Sequence, residues 1–361
     1  MLKPLFSFLF CAGVFLDVMK HAMLSLLLVL VVSMPALSQS IRPVRDDIGF
    51  CWDAGQMKRL LNFLEPAEKG AKPIPDIVAG IVPHDDYLYA ARVGYPLFKN
   101  VRATEVVVFG VTHATVRAEL GDPGEVLLLD DHRSWIGPYG SVIISPLRKF
   151  IAESMDSSLI RIDSKAHRIE HSIEALVPFL QHFNPEVKIT PIMVTAMSVQ
   201  RMDSLASRLA QVLAEYVAQN KLLAGRDIVF LISSDANHYG TDFKNSPLGL
   251  DERAHQMATE NDKRIINASL TGPVTAAKLR RFSDAMESVK WCGRYSIPFG
   301  LLTVQKLVHQ LTGRTLDGSL LRYSDTYTEG VIPLTKSGMG ITAPFSLKHW
   351  VGFFSATYTI R

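Results

Sequence analysis

Asp227-Ile-Val-Phe-Leu-Ile232 runs without a break into Ser233-Ser234-Asp235-Ala236-Asn237-His238. From Ile228 onward the first part is β-branched, apolar and one strand long. Unbroken rather than alternating polarity marks a strand covered on both faces, the habit of a parallel sheet. The second part turns polar where that strand would leave the sheet. The same succession occurs twice upstream. Asp76-Ile-Val-Ala-Gly-Ile-Val82 leads through Pro83 to His84, and Glu105-Val-Val-Val-Phe109 leads through Gly110-Val111-Thr112 to His113. Lys188-Ile-Thr-Pro-Ile-Met-Val194 is a fourth run of the same kind.

Between and after these runs the period changes to that of a helix. Ile173, Leu176, Val177 and Leu180 fall on one face, as do Met202, Leu205, Leu209, Val212, Leu213 and Tyr216, and helices are also expected over Leu250–Ser269 and Pro298–Leu311. Gly121–Tyr139, rich in Gly, Pro and Asp, reads as a long surface loop. Strands alternating with helices predict an α/β fold, with a mostly parallel or mixed central sheet flanked by helices. No internal repeat and no Pro/Gly/Ser linker follows Gln39, so residues 39–361 are expected to form a single domain.

Composition narrows the function classes. With 48% hydrophobic and 20% charged residues among 361, the chain has the means to bury a large core, which excludes a disordered or fibrous polypeptide. The formal charge is +3 without any dense Lys/Arg run, so no nucleic-acid partner is expected. Residues 1–38 carry only Lys3, Asp17 and Lys20 as charges. From Met19, an alternative start, they follow the signal-peptide pattern: Lys20 and His21, an apolar run Met23–Val32, then Ala36 and Ser38 before a cut. That run is short against the ~20 residues that cross a bilayer, so the expectation is export to the periplasm or medium, with no stable membrane span after cleavage. In such a compartment Cys51 and Cys292 are free to form a disulfide.

Ligands of open α/β sheets bind beyond the carboxyl ends of the strands, so His84, His113, Asp235 and His238 are expected to meet in one crevice. Neutral imidazole is the commonest side-chain metal ligand, and two of them need only an anion to complete an open site. Asp235, Glu170 and Cys292 are the candidates for that anion. Glu170-His171-Ser172-Ile173-Glu174 reads as the opening of a helix, with Glu170 and Glu174 on one face. Its acids serve either the helix dipole or, if the helix points into the crevice, proton transfer and ligand orientation. One of Asp85, Asp86 and Tyr87 is expected to orient His84. In Trp291-Cys292-Gly293-Arg294 the sulfur is either a buried free thiol or a thiolate stabilised by Arg294 or a metal.

Five blocks now stand in order: Pro83-His84-Asp85-Asp86-Tyr87; Val111-Thr112-His113; Glu170-His171-Ser172-Ile173-Glu174 with Pro178-Phe179-Leu180; Ser233-Ser234-Asp235-Ala236-Asn237-His238-Tyr239-Gly240; and Cys292-Gly293-Arg294. In this the chain resembles the Memo-like proteins, also called AmmeMemoRadiSam system protein B. The resemblance implies a fold similar to class III extradiol dioxygenases, which are non-haem iron enzymes. It implies His84, His113 and Cys292 as metal ligands, with Cys292 where those dioxygenases have a carboxylate. Asp235, His238, Glu170 and His171 become the candidate catalytic residues. Iron(II) is the foremost candidate ion, with copper and zinc as alternatives. Two functions follow: a metal-dependent oxidoreductase with a two-His, one-Cys site, or a non-catalytic module that holds metal, a small molecule or a peptide in the same pocket. Family members are typically cytosolic, so the leader-like start is a departure.

Overall fold

The computed structural model describes residues 41–334 and 336–361, and the leader expected over residues 1–38 lies outside them. The four apolar runs form β1 (Ala79–Val82), β2 (Glu105–Val111), β3 (Lys188–Val194) and β4 (Ile228–Ser233). They lie side by side in the order β3-β2-β4-β1, all parallel. Their register sets Val111 beside Val194 and Val82 beside Ser233, so the carboxyl ends finish along one edge. Residues just beyond those ends are therefore brought together by the sheet itself.

Two long strands, β5 (Leu316–Asp325) and β6 (His349–Ile360), extend the sheet past β1 as antiparallel members. On the other side of β3 come Gly140–Ile144, Ser134–Gly137 and Ile41–Arg42, in a sheet of thirteen strands among the described residues. The sheet is mixed and flanked by helices, in agreement with the expected dioxygenase-like α/β fold. Among the described residues no helix is long and apolar enough to cross a membrane.

Side chains alternate across a strand, so one apolar run feeds two cores. Val107, Phe109, Ile192 and Ile232 face a core completed by Leu205, Leu209 and Leu213 of the helix Val199–Gln219 and by Phe299, Val304 and Leu307 of the helix Ser296–Thr312. Val106, Val108, Ile189 and Leu231 face the other, where the helices Ala54–Ala67, Tyr87–Phe98 and Val177–Phe183 supply Leu60, Tyr95 and Phe179. The helices expected over Leu250–Ser269 and Pro298–Leu311 are observed as Glu252–Ser269 and Ser296–Thr312.

Two local expectations fail. Gly121–Tyr139 is not one surface loop: Leu127–Leu129 is a fully buried strand paired with β3 and with Ile160–Ile162, and Ser134–Gly137 joins the sheet. Three leucines between Gly- and Asp-rich flanks are too few to register as a strand by periodicity, yet each is buried on a face of the sheet. Nor does Glu170 open a helix. It caps the end of the short helix Ser164–Ile169 in an extended conformation, and a 3-10 turn, Glu174–Leu176, precedes Val177–Phe183. Glu170 and Glu174 consequently point to different places.

Candidate metal centre

His84 follows Pro83 off the end of β1 and is 2% exposed. Its Nδ1 lies 2.7 Å from the Ser233 hydroxyl, which itself donates to the Ser172 carbonyl at 2.6 Å. With its proton so committed, the hydroxyl accepts from His84 Nδ1–H, and the lone pair of His84 is left on Nε2. That atom stands 3.5 Å from Cys292 Sγ and 3.4 Å from Asp235 Oδ2. Burial, and then the neighbouring His113 and His171, hold His84 well below the usual histidine range, so its ring is neutral.

His113 follows Thr112 off the end of β2. Glu170 grips it twice: Oε2 accepts the backbone N–H at 2.9 Å, and Oε1 lies 2.7 Å from the ring Nδ1. Burial works to lower the ring's pKa, but the Glu170 charge and hydrogen bond outweigh it and the net direction is up. For Glu170 burial works upward, and the His113 charge, with N–H donors from His113, His171 and Ser172, carries it well below the usual carboxylate range. The His113 Nε2 edge is thereby presented to the crevice, and His171 stacks on it with ring centroids 4.8 Å apart.

Cys292 opens a short 3-10 turn, Cys292–Arg294. The turn is anchored behind the site by a bridge between Asn237 and Trp291, and the Trp291 indole donates to the buried Asp262 at 3.1 Å. At Gly293 a Cβ would collide with the Ser234 side chain, so only glycine lets the turn lie this close to the end of β4. Cys292 Sγ accepts the Asp235 N–H at 3.1 Å. Burial and the Asp235 charge push its thiol well up, so the sulfur stays protonated unless a cation stabilises its thiolate.

One ligand atom from each of His84, His113 and Cys292 lies within 4.8 Å of the others, and His113, Glu170 and His171 form an overlapping group. Two oriented imidazoles and a thiol that needs a cation in order to ionise are a donor set that fits a soft or borderline transition metal such as iron(II), copper or zinc. Asp235 and His238 line a cavity of about 520 Å³ with the two imidazoles His84 and His113 and with Glu170 and His171. Asp235 is raised to about 7 by burial against the N–H of His84. His238 is lowered to about 4 by burial and the nearby His113, and its Nδ1 lies 3.2 Å from the Ala236 carbonyl.

Other expectations give way. Neither Asp85 nor Asp86 orients the His84 ring: Asp86 accepts from Thr342, and Asp85 from the N–H of Asp86. Tyr87 donates to the Ala175 carbonyl. The orienting group is Ser233 at the end of β4, whose own partner Ser172 sits inside the Glu-His-Ser-Ile-Glu block. Arg294 pairs with the exposed Glu287 at 3.1 Å instead of the sulfur. Glu174 binds the buried Arg42 and the N–H groups of Arg45 and Asp46, away from the centre. Cys51 is buried with its sulfur 3.1 Å from that of Met339, and both Cys51 and Cys292 are free thiols, so no bridge takes Cys292 from the site.

Comparison with known proteins gives the family that the five sequence blocks resemble. The family described as Memo-like protein matches residues 52–332. A MEMO1 family protein of Pyrococcus horikoshii is 31% identical over 277 residues, covering 73% of this chain and 85% of the relative. One from Thermococcus onnurineus is 28% identical over 264 residues, covering 70% and 81%, and one from Saccharolobus solfataricus 28% over 247 residues, covering 67% and 76%. All five sequence blocks fall inside the matched span, and the chain belongs to the Memo-like family.

Proposed function

We propose that this chain is a metal-dependent redox protein whose ion is held by His84, His113 and Cys292, and which acts on a small molecule or peptide seated in the adjoining cavity. The observation that carries the reading is the convergence of two imidazole edges, each fixed by a hydrogen bond on its far nitrogen, with one thiol. Such outer contacts fix the tautomer and direction of a ligand before it binds. Iron(II) or copper held there would supply one-electron chemistry and Lewis acidity to the bound substrate.

The remaining roles belong to the chain's own side chains. His238 is neutral, and with its Nδ1–H on the Ala236 carbonyl its Nε2 is free to take a proton from a group in the cavity. Asp235 holds the backbone of His84 through Oδ1 and the sulfur of Cys292 through its own N–H, which couples two of the three ligands. Glu170 keeps the lone pair of His113 turned inward, and Phe50 and Phe243 supply apolar wall to the cavity.

Elemental analysis of protein purified from its native compartment, followed by oxygen consumption or peroxide turnover of the iron-loaded protein, tests this. Turnover is expected in the wild type and is lost in both His84→Ala and Cys292→Ala. Stoichiometric metal uptake without turnover of any kind favours the non-catalytic module, and absence of uptake defeats the redox reading and leaves only a module that binds a small molecule or peptide.

A further inference from the structure

The candidate centre has a second side. A cavity of about 510 Å³ shares His113, His238 and Phe243 with the one already described and also reaches Cys292. Its charge is opposite. The first is bordered by Asp46, Asp47, Asp85, Asp86, Glu170 and Asp235 against Arg45, and the second by Arg117, Lys290 and Arg294 against Asp122 alone.

Two of those cations are fixed without being neutralised. Arg117 lies one turn beyond His113 on the helix Ala114–Leu120, and its guanidinium donates to the Thr112 carbonyl at 2.5 Å. Lys290 lies two residues before Cys292, and its Nζ donates to the carbonyls of Phe243 and Lys244 at 2.8 and 3.0 Å. Neutral carbonyls hold a cation in place but leave its charge available, whereas Arg294 is offset by Glu287. Among the described residues neither Arg117 nor Lys290 is paired with a carboxylate. Each lies on a segment that carries a candidate ligand, and both line the cavity that Cys292, His113 and His238 also line.

We propose that this second cavity is an anion site, which draws the carboxylate or other oxyanion group of a small molecule toward Cys292 from the Arg117 and Lys290 side. Cations in a concave, partly dry wall raise the local concentration of an anion by about 10-fold to 10³-fold at low salt. The role of the site in turnover rests on the metal-centre reading, but its existence does not.

Alkylation of Cys292 in the metal-free full chain, followed site by site by peptide mass spectrometry, is the test. Iodoacetate carries the anion and iodoacetamide does not, so their rate ratio cancels the intrinsic reactivity of the sulfur. In low-salt buffer the ratio at Cys292 is expected to exceed that of free cysteine by about tenfold or more, and to collapse toward it at ~0.5 M salt. Arg117→Gln with Lys290→Gln is expected to return the ratio to that of free cysteine even where both reagents slow together through a smaller thiolate fraction, and an unchanged near-UV circular dichroism spectrum shows that the fold is intact. A wild-type ratio no higher than that of free cysteine overturns the proposal, as does a ratio unmoved by the double variant, or a sulfur that neither reagent reaches. Cobalt(II) uptake is measured on the same preparations. A chain that shows the anion preference but takes up no cobalt loses the metal reading and keeps this one.

Discussion

Glu170 and Glu174 are four residues apart, both buried, and bound to opposite ends of the site's architecture. Glu170 turns to the mouth of the sheet, where His113 and backbone N–H groups of His113, His171 and Ser172 converge on it. Glu174 turns away and ties the segment after Ile41 to the body of the protein through Arg42, Arg45 and Asp46. Partners, not spacing, decide what a buried carboxylate does. One is an orienting group for a candidate ligand, and the other closes a strap that brings Asp46 and Asp47 to the cavity wall.

The largest effect is expected where the strap is cut. Glu174→Ala leaves Arg42, 1% exposed, as an unpaired buried cation that keeps only carbonyl partners and the face of Trp135. Removing one member of a buried pair costs about 3–5 kcal/mol, so urea unfolding of the metal-free protein should show a loss of that size. The fraction that remains folded should still bind cobalt(II) with wild-type affinity. A large loss of affinity in that fraction would dissolve the distinction between the two glutamates.

Glu170→Gln should show the converse. The amide keeps the shape but not the charge that holds the His113 ring, and losses of an outer partner of this kind cost about 10-fold to 100-fold in metal affinity. Cobalt(II) titration measures it. An unchanged affinity would remove Glu170 from the centre and leave it as a packing residue.

The two acids also differ in sign with pH. Glu170 is depressed below its ordinary 4.5, so its contribution is present above that value and lost as pH falls through the folded-state pKa. His113 is raised above 6.5, so its contribution is complete below 6.5 and lost as pH rises through its folded-state pKa. The stability gap between wild type and Glu170→Gln, measured metal-free, should therefore be widest between pH 4.5 and 6.5 and narrow on both sides. Glu174 runs the other way: burial raises it in spite of Arg42, so its contribution weakens as pH rises above 4.5 toward its folded-state pKa. A gap for Glu170→Gln that grows steadily with pH would mean that the His113 pairing is not what sets it.

How far this was legible in the sequence follows from the same contrast. β2 and β4 were plain because a strand buried on both faces is apolar throughout, and the meeting of His113, Asp235 and His238 beyond their ends was plain because a register-matched parallel sheet finishes those strands along one edge. The spacing of Glu170 and Glu174 misled because the four-residue rule presumes a helix, and the backbone at Glu170 is extended. Ser233, Asp262 and Arg42 were hidden for a different reason. Each acts through a partner more than 28 residues away, a pairing that no local pattern encodes.

The smallest effect is expected at Arg294, a cation as near to Cys292 in sequence as Lys290 is. Arg294 is two residues from the sulfur, yet its guanidinium reaches out to Glu287, 79% exposed, and side-chain pairs so open to water are worth about 0–1 kcal/mol. Arg294→Gln should accordingly move the unfolding midpoint by no more than that scale allows and change cobalt(II) affinity by less than about twofold. If affinity instead fell as it does for Glu170→Gln, the guanidinium would have to leave Glu287 for the sulfur when the cation arrives. Nearness along the chain would then outrank the hydrogen bonds by which the two glutamates were told apart.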